Sequence, residues 1–298
     1  MKSINMFTVF ILLTSFFASG QPSSTTLPKI KVIDFYLQNG IFTTGSMIAT
    51  LEDFEKLAPH STLLKKDFSG FSSTNKKSLD QNSCFGVMIG LHFLNKEKTI
   101  YRSNPVLKLG VSFFSGSSFY FKLNKEDRRP FDTLTSSITN DAIYIDSVTN
   151  YSYKMKYSSE QIRLDGALVF STNPDARWSL YSGVGVTVGI SINTNTDIIY
   201  SIDRRTESSN ATYNIYEFRH RKNNDQDKEE TFRNKTNVAF SAYIPLGIDF
   251  RIGKKREFWK RLHLFYEMRP GINITTIPEL GTFSSSLIQH SLGLKVTF

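Results

Sequence analysis

The sequence predicts an all-β fold: an eight-stranded antiparallel up-and-down transmembrane β-barrel with long outer loops and short periplasmic turns. Three observations carry that expectation. The 298-residue chain opens with an export signal, it contains long runs of period-two alternation, and its connections alternate between long and short. The composition agrees, since Phe (25) and Tyr (13) favour strands. The single cysteine, Cys84, excludes a disulfide scaffold and a Cys/His metal site. A formal charge of +9 suggests acidic partners or a mixed, solvated surface.

Lys2, an apolar run from Met6 to Phe17, and the small residues Ala18, Ser19 and Gly20 precede Gln21. Positive, hydrophobic, then small is the order of a secretory signal peptide, and the run is too short for a spanning helix, which needs about 20 residues. Residues 1–20 are therefore read as signal and 21–298 as one domain, cleaved near Gln21.

The longest alternation starts at Trp178, with Leu180, Ser182, Val184, Val186, Val188, Ile190 and Ile192 on one parity and Ser179, Tyr181, Gly183, Gly185, Thr187, Gly189, Ser191 and Asn193 on the other. Val238 to Ile252 and Leu262 to Ile274 repeat it. Shorter versions lie near Ile33 to Ile41, Phe85 to Phe93, Leu107 to Phe113, Ile162 to Phe170 and Ile288 to Phe298, which completes eight strands. Ten remain open, because Ile143 to Val148 and Tyr151 to Tyr157 read either as extra pairings or as extensions above a membrane.

Alternation alone does not say whether the apolar parity faces a core, as in a soluble lipocalin-like barrel, or lipid. Length favours lipid, since a tilted strand crosses the hydrocarbon in about 9 to 11 residues. The polar parity carries Gly86, Gly110, Gly183, Gly185, Gly189, Gly247, Gly271 and Gly293, which suits a narrow, filled lumen. Connections are long at about 44–82, 116–155 and 203–234, and short at Asn95–Ser103, Asn173–Arg177 and Gly253–Lys260. In the first long loop, Thr50 and Asp53 form a helix-capping pair ahead of a short helix ended by Pro59.

The inward parity also gathers charge: Asp34, Asp165, Asp249 and Glu267 against Lys108, Arg163, Arg251, Arg269 and Lys295. A basic or acidic group facing lipid is costly, so these belong inside, as a salt-bridged plug or as an ion path. Lys254, Lys255, Arg256, Lys260 and Arg261 flank Phe258 and Trp259 in a short turn, a composition suited to lipid phosphates and an interfacial belt. Arg204, Arg205, Arg219, Arg221 and Lys222 occupy the third long loop. His60 and His220 have no Ser or Asp partner at a diagnostic spacing. His290 and Ser291 are adjacent, so on a strand they point to opposite faces and share no proton. No catalytic residue, metal or cofactor is expected.

The last residues, Ser291-Leu-Gly-Leu-Lys-Val-Thr-Phe298, are similar to the C-terminal signal by which outer-membrane barrels reach their assembly machinery. With that ending the chain resembles the small outer-membrane β-barrel proteins of Gram-negative bacteria, in the size class of OmpA and OmpX and of the PorT-like family; Leu51 to Ser61 adds a fainter likeness. The resemblance implies an integral outer-membrane location and periplasmic termini. It implies an assembly signal in Ser291, Gly293, Val296 and Phe298, and contacts with outer-membrane lipids and lipopolysaccharide. It also implies a structural or loop-binding role, with a partner at the outer loops left unnamed and no nucleic acid. A lipid-modifying or proteolytic barrel enzyme, and an accessory subunit of a secretion or transport machine, remain as alternatives.

Overall fold

The computed structural model describes residues 30–45, 49–73, 80–93, 105–116, 119–135, 142–173, 176–208, 227–253 and 255–298. Twelve strands run through these residues as one antiparallel sheet: β1 (Ile30–Thr44), β2 (Ser72–Ser73), β3 (Asp80–Phe93), β4 (Val106–Ser115), β5 (Phe119–Thr135), β6 (Ala142–Ser171), β7 (Trp178–Ser208), β8 (Lys228–Arg233), β9 (Val238–Tyr243), β10 (Leu246–Arg251), β11 (Leu262–Ile277) and β12 (Gly281–Thr297). Two short helices, α1 (Leu51–Leu57) and α2 (Glu257–Arg261), complete the elements.

The pairings return to their start. β1 pairs with both β3 and β12, and the path continues through β4, β6, β7, the β9 and β10 pieces, and β11. β4 and β5 lie in turn along one edge of β6, and β10, β9 and β8 along one edge of β7. The twelve strands thus fill eight positions of an uneven ring. Val238 to Ile252 is split at Ile244 and Pro245 rather than continuous. Proline offers no N–H to the ladder, yet burial alternates unbroken through the gap, so the facing of both halves is preserved.

β6 explains the unevenness. From Gln161 to Val169 its odd positions are buried, Arg163 and Asp165 among them, while Ile162 is 41% and Leu164 66% exposed. From Tyr153 to Tyr157 the odd positions stay buried but are now apolar, and Lys154 and Lys156 are the exposed ones. A polar-in, apolar-out pattern becomes apolar-in, polar-out within one strand. β7 makes the same change through a bulge: Gln161 faces Ser191 and Glu160 faces Asn193, so Ile192 is the extra residue and the buried parity passes to Thr194, Thr196 and Ile198. We call the part below this change the belt, and the part above it the extension.

In the belt, the outward positions are mostly apolar, for example Val111, Leu164, Val184, Ile190, Ile248, Leu264, Ile272 and Leu292, all at least 39% exposed, with Asn39, Ser182 and His290 as polar exceptions. No Asp, Glu, Lys or Arg takes an outward belt position between Phe85 and Phe113 or between Ile162 and Ile274 among the described residues.

The segment 116–155 is not a loop. It forms β5 and the upper half of β6, paired from Phe119 with Tyr157 to Thr135 with Ala142, so Ile143–Val148 and Tyr151–Tyr157 belong to one strand. Its outward face is charged, so it lacks the continuous apolar parity by which the belt strands are recognised. The segment 203–234 likewise holds the end of β7 and β8, with 209–226 outside the described residues; the turn at 95–103 also lies outside them. The helix expected at Thr50 is present: the Thr50 hydroxyl accepts from the Asp53 N–H, the Asp53 carboxylate accepts from the Thr50 N–H at 2.9 Å, and α1 ends at Ala58.

Candidate functional site

The interior of the belt holds a charge network. Four carboxylates (Asp34, Asp165, Asp249 and Glu267) and four cations (Lys108, Arg163, Arg269 and Lys295) are all buried there. Glu267 on β11 is its centre, accepting from Lys108 Nζ on β4 at 2.9 Å and from Arg269 Nε on its own strand. Arg269 also donates to Asp165 of β6 at 2.5 Å, and Asp165 accepts from the Tyr243 hydroxyl. These bonds cross the interior between opposite sides of the ring. The Lys108 ammonium further lies 4.2 Å from the Tyr181 ring centroid and 4.6 Å from that of Tyr36, a second stabilising contact for a buried cation.

Nearer the turns, Asp249 joins three strands, accepting from Lys295 of β12 and pairing with His263 Nδ1 of β11 at 2.7 Å. Asp34 accepts from Thr297 at 2.8 Å and from Tyr36 at 3.2 Å, with His92 Nε2 3.4 Å away. Nearer the extension, Arg163 has no carboxylate within ion-pair distance among the described residues. Its guanidinium donates to Gln161 (2.7 Å), Ser241 (2.9 Å) and Asn273 (3.1 Å) and lies over the Phe114 ring.

Eight of the nine sequence-predicted interior charges are thus buried together. Arg251 stands apart: it is half-buried and donates to the Ala176 carbonyl at 3.2 Å, in the turn between β6 and β7. Sequence reading passed over the neutral partners Tyr36, Tyr181, Tyr243, Gln161 and Asn273, and the pairing of His92 and His263. Their inward parity was legible; their height in the ring was not.

Above the network the interior turns apolar. Phe54 and Leu57 of α1, with Ala58, Leu63 and Leu64, pack against Phe119 and Phe121 of β5, Tyr153, Met155 and Tyr157 of β6, and Ile198 of β7. The first long connection is therefore a cap folded into the extension. Two side chains tether it. Glu230 on β8 accepts from Ser61 Oγ (2.5 Å) and the Thr62 N–H (3.1 Å), and the Asn234 amide donates to the Leu57 carbonyl at 2.7 Å. Burial acts to raise the Glu230 carboxyl, but these donors outweigh it and hold it below the usual range. Outside the extension, Arg205 pairs with Glu207 and Glu126, and Arg128 reaches Glu207 at 2.7 Å, so Arg205 is engaged within the sheet surface. Arg219, Arg221, Lys222 and His220 lie outside the described residues.

At the turn end, Arg256 precedes α2 and Trp259, Lys260 and Arg261 lie in it; Phe258 is 68% exposed, and Lys260 pairs with Glu257 at 2.6 Å. Lys255 is exposed, and Lys254 lies outside the described residues. Of the four terminal residues, Ser291 is buried, Gly293 and Val296 are partly buried, and Phe298 is 54% exposed with its N–H donating to Ile33. His290 and Ser291 do face opposite sides: Ser291 is inside, and His290 Nδ1 meets the Tyr266 hydroxyl at 2.7 Å outside.

No family model and no curated protein matches the sequence. Among solved structures, Ail, the attachment invasion locus protein of Yersinia pestis, in complex with the heparin analogue sucrose octasulfate, aligns at 11% identity over 90% of this chain and 100% of its own, with a TM-score of 0.25. Neisserial surface protein A aligns at 9% identity over 89% of this chain and 97% of its own, with a TM-score of 0.26. Pseudomonas aeruginosa OpdQ aligns at 9% identity over 90% and 97%, with a TM-score of 0.16. These neighbours are outer-membrane β-barrel proteins.

Proposed function

We propose that the chain is an integral outer-membrane protein, an eight-stranded β-barrel with a closed, charged lumen that acts through its extension as a structural or binding surface and not as an enzyme. The inversion of pattern along β6 carries this reading. An apolar, charge-free exterior is stable only away from water, whereas the polar exterior and apolar interior a few residues further on are those of a water-soluble β-domain. A ring of eight positions leaves no unpaired edge in lipid and encloses a space that side chains fill. The interior ion pairs and the α1 cap support a plug over a conduit.

On this reading the turn end faces the periplasm and Lys255, Arg256, Trp259, Lys260 and Arg261, with Lys254, meet lipid headgroups. The signal at residues 1–20 directs export, and Ser291, Gly293, Val296 and Phe298 engage the assembly machinery. Electrophoresis of isolated outer membranes with and without boiling tests the reading. A mobility shift on boiling is expected; a chain found in the soluble fraction with no shift overturns it.

One observation favours a lipid-modifying enzyme as the second reading, namely the His290–Tyr266 pair on the apolar exterior, where polar groups are uncommon and costly. Acyl-chain release from outer-membrane lipid by the wild type, abolished by His290→Gln, would establish it.

A further inference from the structure

Resting on the membrane reading above, we propose that the outer flank of β4, β5, β6 and β7, just above the belt, binds the phosphorylated saccharide headgroup of an outer-leaflet glycolipid. Three observations meet there. The first is a row of polar side chains at one height, two hydroxyls, the Glu160 carboxylate and an amide: Ser83 faces Ser115, Ser115 faces Glu160, and Glu160 faces Asn193, a set that takes sugar hydroxyls and leaves the phosphate to the lysines above. This row lines an open cleft of about 670 Å³ with Ser158 and Asn195 above it. The cleft exists because β4 stops at Ser115 and Gly116 turns the chain at φ 78° before β5 resumes along the same edge of β6. Asn82, in its wall, has a buried Nδ2 without a hydrogen-bond partner among the described residues.

The second observation is a like-charge pair. Lys122 of β5 stands directly opposite Lys154 of β6, and Lys156, on the same outward face, is two residues nearer the cleft. Like charges directly opposite across strands are destabilising, and none of the three lysines has an ion-pair partner among the described residues. An anion between them removes that cost. The third observation is the apolar belt immediately below, where Phe85 and Phe113 are exposed beneath the Ser83 and Ser115 row. Acyl chains on the belt, sugar hydroxyls in the cleft and phosphate on the lysines follow the order of one amphiphile, chain to headgroup to charge.

Lipid A, an acylated and phosphorylated glucosamine disaccharide, is the probe. The full chain is folded in dodecylphosphocholine micelles, and bound lipid A is counted by mass spectrometry of the intact complex. The variant Lys122→Gln/Lys154→Gln/Lys156→Gln is expected to bind on the order of a hundredfold more weakly, the combined loss of three basic residues near an anionic surface. Dephosphorylated lipid A should lose a similar factor on the wild type, and Lys56→Gln/Arg129→Gln, at exposed cations away from the cleft, should bind as the wild type does. Unchanged binding by the triple variant overturns the site, as does equal loss in this control or equal affinity for phosphatidylglycerol, which has a phosphate but no saccharide. The mobility shift on boiling, read on the same samples, separates the two levels. A retained shift with unchanged binding sinks only this site, and a shift absent from every sample sinks the membrane reading beneath it.

Discussion

Gly185 on β7 stands directly opposite Tyr243 on β9, and the tyrosine ring occupies the volume that a side chain on the glycine would need. Gly247 and Tyr181 repeat the arrangement between β10 and β7. Both tyrosines are thereby laid across the neighbouring strand beside the charge network, Tyr243 on Asp165 and Tyr181 against Lys108. Gly185→Val should displace the ring and destabilise the fold by about 1–3 kcal/mol. Urea unfolding in micelles measures it; an unchanged midpoint would show that the ring moves freely.

Removing Glu267 leaves Lys108 and Arg269 buried with less charge compensation. Glu267→Gln should cost on the order of 3–5 kcal/mol, because an orphaned buried charge loses far more than the pair contributed. Arg251→Gln, at a half-buried site bonded to a turn carbonyl, should cost within about 0.5 kcal/mol. Similar losses for both would mean that the network does not act as a unit.

Leu164 discriminates between lipid and water outside the belt. At 66% exposure, its replacement by Arg in a water-soluble ring would change stability by roughly 0.5 kcal/mol or less. In lipid the same change should cost about 2–4 kcal/mol. Refolding into vesicles of Leu164→Arg beside Lys156→Leu reads the difference directly.

Glu230 makes the cap sensitive to acid. Its carboxyl is held below the usual 4.5 in the folded chain, so the stability it confers is fully present above about pH 4.5 and is lost as pH falls through the folded value. Hydrogen-exchange protection at Ser61 to Leu64, taken relative to the intrinsic rate at each pH, should fall below pH 4.5 in the wild type. In Glu230→Gln it should be low at neutral pH and flat through the same range; parallel profiles would remove Glu230 as the tether.

Phe298→Ala should lower the amount of boiling-sensitive protein in outer membranes without changing its synthesis. Wild-type amounts would count against an assembly role for the C-terminal aromatic.

The belt was legible because the inside and the outside of the ring impose opposite demands on alternate residues, and Trp178 to Ile192 record them with Ser182 as a polar exception on the apolar parity. The interior charges were legible for the same reason: a charge on the inward parity, such as Glu267 or Lys108, has nowhere else to go. The extension was not. Phe119, Phe121 and Leu123 alternate over too short a span, ending among Lys122 and Lys125, to be told from loop, and their apolar parity faces inward instead of out. The partners of α1 were equally hidden. Its capping box is a local signal, but Glu230 lies 169 residues from Ser61 and no spacing announces that bond.

Consider reach. The sixteen residues of β6 from Ala142 to Tyr157 stand above the change of pattern and span about 50 Å along the strand at roughly 3.3 Å per residue. Phe131, 67% exposed, and Tyr144, 56% exposed, lie near the far end, on strands cross-braced by Arg128 and Arg205. With the belt seated in lipid, those rings are carried well clear of the headgroups. A macromolecule too bulky to approach the bilayer could still be touched there, and a partner small enough to reach the flank would meet a different chemistry altogether.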